Sequence, residues 1–233
     1  MDTRKLSRYT GAVILALAPI GFVAGAWTEP FYDNDAPAAS QLAEVAAQPM
    51  PPAALRALVS VLILLMPAAM IFATRLARRG APRLAAIGGA ISFLAWSAGI
   101  ASIGAVEGLY WYGSRMADQG TVAAVIDAAT GDATFNTLIA IFVLGHLVGM
   151  LTLGIGLWRS RAVPAWVGIL FALSPILHAV AMNVGTAADT VAYALLGVAM
   201  IGCAVRLVRL PDDEWDLPAR QRVVAPARER VAA

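Results

Sequence analysis

Charge is scarce in this chain. Asp, Glu, Lys and Arg together make up 14% of its 233 residues, where soluble domains carry roughly a quarter. Such a composition excludes an ordinary water-soluble globule. Cysteine is nearly absent as well. The single Cys203 cannot form an internal disulfide, a CxxC redox pair or a cysteine metal cage, and its apolar surroundings read as those of a small buried filler. Histidine occurs twice and lysine once. No HExxH, P-loop, GxSxG or GxGxxG pattern is present, and GIGLWR at residues 154–159 reads as the end of an apolar run with nothing phosphate-binding after it.

What is present is apolar. Hydrophobic residues make up 60% of the chain, and the mean hydropathy is +0.72. Several runs exceed the ~18 residues that a spanning helix needs. The pattern predicts an all-α polytopic membrane protein with six spans, near 8–28, 54–75, 84–106, 135–158, 164–183 and 187–208. Residues 1–210 form one transmembrane domain, and 211–233 a polar, Pro-interrupted cytoplasmic tail with the composition of a disordered segment.

The basic residues orient the bundle. Arg4, Lys5 and Arg8 precede span one; Arg75, Arg78, Arg79 and Arg83 lie between spans two and three; Arg159 and Arg161 lie between four and five. Arg206, Arg209, Arg220, Arg222, Arg228 and Arg230 complete the set, so fifteen of seventeen basic residues share one side. Only Arg56 and Arg115 fall opposite, with nine of the fifteen acids. The positive-inside rule places both termini in the cytoplasm. The basic segments therefore report topology or lipid contact and not a nucleic-acid partner. The Arg- and Ala-rich composition points to a GC-rich bacterial genome, and the expected location is the bacterial inner membrane. RKLSR before GAVILALAPIGFVAGA has the layout of a signal peptide, with a small-residue site at Ala24 and Ala26; an uncleaved anchor is expected.

Local signals set several helix ends. TAAD at 186–189 predicts a capping box opening span six, and Pro51 and Pro52 fall at the first turn of span two. Pro19, Pro67 and Pro175 lie inside spans, where each should kink the helix. Two long outer loops, 29–53 and 107–134, carry SQLAEVAAQ and TVAAVIDAAT, read as interfacial helices over the outer mouth of the bundle. Small residues predict close helix packing. Span three has Ala81, Ala85, Gly88, Ser92, Ala95, Gly99 and Ser102 on one face; span four has Gly145, Gly149, Thr152 and Gly156. A homodimer through one of these faces is the rival reading.

The only histidines, His146 and His178, both fall within spans. Intramembrane ionisable groups are functional candidates by default. Counted from the tight turn near Arg161, His146 lies 15 residues before and His178 17 after, so their depths match within roughly 3 Å. Such a pair can ligate haem iron, share a metal or make polar, proton-linked contacts. Gly145 and Gly149 leave room beside His146, and Ser174 lies one turn before His178, where it can fix its tautomer. Glu29 and Glu107 close spans one and three near Tyr110 and Trp111, and Asn183 and Asp189 mark the outer ends of spans five and six. These read either as solvated helix ends with an aromatic belt or as the rim of an outward-facing pocket floored by the histidines. Glu107 lies about 36 Å along its span, too shallow to share a metal with them.

LGHLVGMLTLGIGLWRSRAVPAW followed by LSPILH resembles the second half of small six-span actinobacterial membrane proteins grouped as a domain of unknown function. ALRALVSVLILLMPAAMIFATRLARRG resembles their second span. The resemblance implies a six-span fold and a bacterial membrane, and no activity. The expectation is a non-enzymatic binding or sensing module, or an accessory subunit of a membrane assembly. A small b-type cytochrome with bis-histidine haem is the alternative, and a small-solute or proton-linked transporter comes third.

Overall fold

The computed structural model describes residues 2–30 and 36–215, and among these there is no strand. Loop residues 31–35 and the tail from 216 on lie outside the described residues, and with them the arginines at 220, 222, 228 and 230. The helices are α1 (Thr3–Gly25), α2 (Ala38–Ala46), α3 (Ala53–Ile63), α4 (Met66–Ala77), α5 (Pro82–Gly113), α6 (Gln119–Gly131), α7 (Ala133–Arg159), α8 (Ala165–Ala181), α9 (Thr186–Arg209) and α10 (Asp212–Trp215). Five stretches are long and apolar enough to cross a membrane: α1, α3 with α4, α5, α7 and α9. The 17-residue α8 is apolar but shorter.

Local chemistry accounts for most helix ends. Asp2 caps α1 by accepting from the Arg4 N–H at 3.1 Å, and Asp132 caps α7 by accepting from Thr134 at 2.7 Å. Pro52 precedes the first residue of α3, where its missing N–H costs nothing. At Pro67 the predicted kink becomes a break, because proline removes a donor and crowds the carbonyl four residues back. Leu64 and Leu65 keep right-handed dihedrals, but the regular hydrogen-bond ladder is interrupted there before it resumes as α4.

Two ends differ from expectation. The helix of span three does not stop near residue 106 but runs to Gly113, 32 residues in all. That is about 48 Å at 1.5 Å per residue, longer than a hydrocarbon core of about 30 Å. The capping box predicted at 186–189 does not form. Gly185 is the N-cap at φ 133°, no side chain caps the helix, and the Asp189 carboxylate turns elsewhere.

The long stretches run alternately up and down and close into a ring in chain order. α1 packs on α3 and α4, α4 on α5, α5 on α7, α7 on α8, α8 on α9, and α9 returns to α1. One end gathers the arginines: Arg8 donates to the Leu207 carbonyl at 3.4 Å, Arg75 to Ser7 Oγ at 3.3 Å, and Arg206 to the Ala162 carbonyl at 3.0 Å. Here α10 folds back, with Trp215 under the Arg75 guanidinium at 4.0 Å, so the first turn of the polar tail is docked. The centre is filled by Leu15, Met70, Met150, Leu157, Phe171, Met200 and Leu207, with Cys203 fully buried among them.

The tightest seam is α5 on α7, where the two small-residue faces meet each other. A methyl built on Gly88 would lie 2.5 Å from the Leu153 nitrogen, and one on Gly149 2.6 Å from that of Ser92. Gly145 meets Ala95, Gly99 meets the Phe142 ring, and Gly156 lies against Leu84. A second close crossing sets Gly154 against the Ala172 backbone and Gly168 against that of Trp158, joining α7 to α8.

At the far end α2 and α6 pack on each other and on the end of α5. Leu42, Val45, Tyr110, Trp111, Val122 and Ile126 form a second apolar cluster there. Arg115 ties it together by donating to the carbonyls of Val45 at 3.2 Å and Gln48 at 2.7 Å.

Candidate functional site

The α7–α8 hairpin brings the two histidine rings together, with centroids 6.0 Å apart. His146 is 6% exposed and walled by rings: Trp96 of α5 at 4.5 Å and Phe142, one turn earlier on α7, stacked at 5.4 Å. Phe22 of α1 and Tyr193 of α9 extend the wall, Phe22 lying 4.8 Å from Trp96 and 5.3 Å from Tyr193. Five helices thus contribute to one aromatic box.

His178 carries the polar chemistry. Its Nδ1 lies 2.5 Å from Asp189 Oδ1, and its Nε2 lies 3.3 Å from the Tyr193 hydroxyl. Asp189 and Tyr193 are four residues apart on α9, which places them on one face. A carboxylate accepts, so Nδ1–H donates to Asp189, and the Tyr193 hydroxyl meets Nε2 on the other side of the ring. The result is a continuous path from Tyr193 through His178 to Asp189. His178 and Asp189 are each 18% exposed, so the path is reachable from outside the core.

Two more acids lie nearby. Glu29 follows α1 and folds back over it: a methyl on Gly25 would lie 2.8 Å from Glu29 Oε1, so glycine provides the space. Glu29 keeps an exposed edge, but desolvation of its carboxyl by the surrounding protein atoms and the neighbouring Asp189 push it up to about 7, against a smaller opposing pull from His178. Glu107 of α5 is half-buried and interacts electrostatically with both Glu29 and Tyr193. The Trp96 indole N–H, in a side chain 1% exposed, has no hydrogen-bond partner. A buried donor without a partner is uncommon in a folded protein.

The other residues singled out in the sequence sit elsewhere. Trp111 is buried and donates to the Thr28 carbonyl at 3.2 Å, pinning the segment that carries Glu29. Tyr110 bonds Gln41 within the far-end cluster. Ser174 donates to the Phe171 carbonyl of its own helix at 2.9 Å, so Asp189 and not Ser174 orients His178. Asn183 is exposed and donates to the Ala179 carbonyl at 2.7 Å.

No protein-family model, curated protein or solved structure matches the chain. What the site can do is therefore read from its geometry.

Among the described residues no three His, Cys, Asp or Glu side chains gather as a metal site requires. Haem would need both rings aimed into one flat slot. Here Asp189 and Tyr193 engage both nitrogens of His178, and Trp96 and Phe142 lie against His146. Sequence reasoning missed Tyr193 and Trp96 as members of the site, and set Asp189 at the outer rim without its contact to His178. One signal was available: Asp189 is an acid in the first turn of an apolar helix, with a tyrosine one turn on.

Proposed function

We propose that this chain is a six-span protein of a bacterial cytoplasmic membrane, with both termini in the cytoplasm. Its outer end holds a binding site for a small organic cation. It acts as a binding or sensing module, or as the ligand-binding subunit of a larger membrane assembly. The alternating helices and the gathering of arginines at one end support this threading. The 17 residues of α8 reach about 26 Å, enough for a thin bilayer once its flanking residues are added. In that orientation α2 and α6 lie at the outer interface.

The observation that carries the reading is the box of Phe22, Trp96, Phe142 and Tyr193 with the Asp189 carboxylate held at its edge by His178, while Glu29 and Glu107 act electrostatically on the same Tyr193. Carboxylates within electrostatic reach of one another raise the cost of each other's charge, and a cation among them relieves it. Aromatic faces add attraction to ammonium groups, strongest over tryptophan.

Thermal unfolding of the detergent-purified protein at pH 7.5 tests this with a panel of primary amines and quaternary ammonium ions. A ligand at a hundred times its Kd stabilises by about 2.7 kcal/mol. We expect at least one member to raise Tm, and Asp189→Asn and Glu107→Gln to lose the response while eluting as folded protein. A panel with no active member, or variants that respond like the parent, would overturn the reading. The haem alternative is checked by the absorption of the dithionite-reduced protein, which we expect to be flat through the Soret region.

A further inference from the structure

The arginine end holds a second candidate site, separate from the cation site proposed above. A cleft of about 180 Å³ opens between the α4–α5 turn, the α7–α8 turn, the end of α9 and α10. Arg75, Arg79, Arg161 and Arg206 line it, with Glu214 as the one acid among the described lining residues and Leu76, Leu210 and Trp215 as its apolar wall. Four arginines from three segments line one cleft because the turns are pressed together: a methyl on Gly80 would lie 2.6 Å from the Ser160 backbone.

Two of these side chains are already oriented. Arg206 donates through Nε to the Ala162 carbonyl at 3.0 Å, which holds its guanidinium plane while its two Nη groups lie beyond that bond. Arg75 lies over the Trp215 ring at 4.0 Å and reaches Ser7 Oγ through one Nη. Arg161 is exposed and sits at φ 55°, a left-handed conformation that glycine usually occupies, on the turn that borders the cleft. Guanidinium forks match phosphate oxygens two at a time, and basic clefts between spans at the cytoplasmic face suit anionic headgroups.

We propose that this cleft binds the phosphate of an anionic phospholipid in the cytoplasmic leaflet, with the apolar wall against the first part of the acyl region. The proposal rests on the membrane reading above and is independent of the outer cation site. Net charge decides against a zwitterionic headgroup, whose own cation would meet the arginines.

The test is thermal unfolding in neutral detergent with added short-chain phosphatidylglycerol, phosphatidylcholine or inorganic phosphate. Phosphatidylglycerol should raise Tm by roughly 3 °C or more over phosphatidylcholine, and the gain should shrink with added salt. Arg161→Gln, whose side chain is exposed, should lose most of the gain, and Arg161→Gln with Arg206→Gln all of it. Arg83→Gln, at the same end but outside the cleft, should keep it. Equal effects of the two lipids, an unchanged gain in Arg161→Gln, or full reproduction by inorganic phosphate would each overturn the lipid site. Extraction separates the two readings. A chain that alkaline carbonate leaves in the membrane but that shows no lipid preference loses only this proposal.

Discussion

At Asp189 a helix N-terminus and a histidine compete for one carboxylate. An acid in the first turn of a helix stabilises it by about 0.3–1 kcal/mol, and water can satisfy the exposed N–H groups instead. A hydrogen bond to a charged group is worth about 1.5–3 kcal/mol when its alternative is a half-buried donor without a partner. The histidine wins, and the N-cap passes to Gly185. Replacing Asp189 with Ala should therefore lower Tm more than replacing Thr186, by roughly 2–4 °C for each kcal/mol lost.

Glu29 makes a pH prediction. Its carboxyl is raised from 4.5 to about 7 in the fold, so the folded state disfavours the charged form. The cost is absent below about 4.5 and complete above about 7. Glu29→Gln should therefore match the parent near pH 4.5 and exceed it in Tm at pH 8; parallel curves across that range would refute the assignment. Trp96 separates ring from donor. Trp96→Phe keeps a ring and removes the orphan N–H, so it should change stability by less than about 1 kcal/mol. Trp96→Ala should cost about 3–5 kcal/mol through the cavity it leaves.

The elements are held by close approach, and glycines show where. In the α5–α7 seam Gly88 and Gly149 face backbone that cannot swing aside. Gly88→Val or Gly149→Val should destabilise by about 1–3 kcal/mol through overpacking, read as a fall in Tm. Gly104 and Gly108, later on the same α5, have open space where a Cβ would go. Their replacement by Ala should be neutral or should stabilise by up to about 1 kcal/mol, since glycine disfavours helix interiors. Measured in parallel, the two pairs distinguish packing from propensity on one helix. The small faces of α5 and α7 meet each other inside the chain.

For the whole molecule the threading is the testable claim. Cys203 is fully buried, so it leaves a low background for labelling of introduced cysteines. Met116→Cys, in the exposed turn after α5, should react with a membrane-impermeant maleimide on intact cells. Arg83→Cys, exposed at the arginine end, should react only after permeabilisation. The reverse pattern would invert the protein and move the acidic site to the cytoplasm.

Much of this was legible along the chain, because hydropathy, helical spacing and charge placement are local. The apolar runs, the gathering of arginines at one end, the small-residue stripes, the helices of the two long loops and the matched depth of His146 and His178 are counted without knowing what lies across from them. Partner choice is not local. That Asp189 turns to His178, that Trp96 and Phe22 wall His146, that α5 runs on to carry Trp111 against the Glu29 segment, and that Trp215 docks under Arg75 all depend on which helices become neighbours. Ring closure, with α9 returning to α1, sets those neighbours, and buried polar groups then take the best partner within reach. Sequence alone determined where the chain is apolar and how its charges divide between the two ends; the tertiary structure decided which of its few polar groups meet.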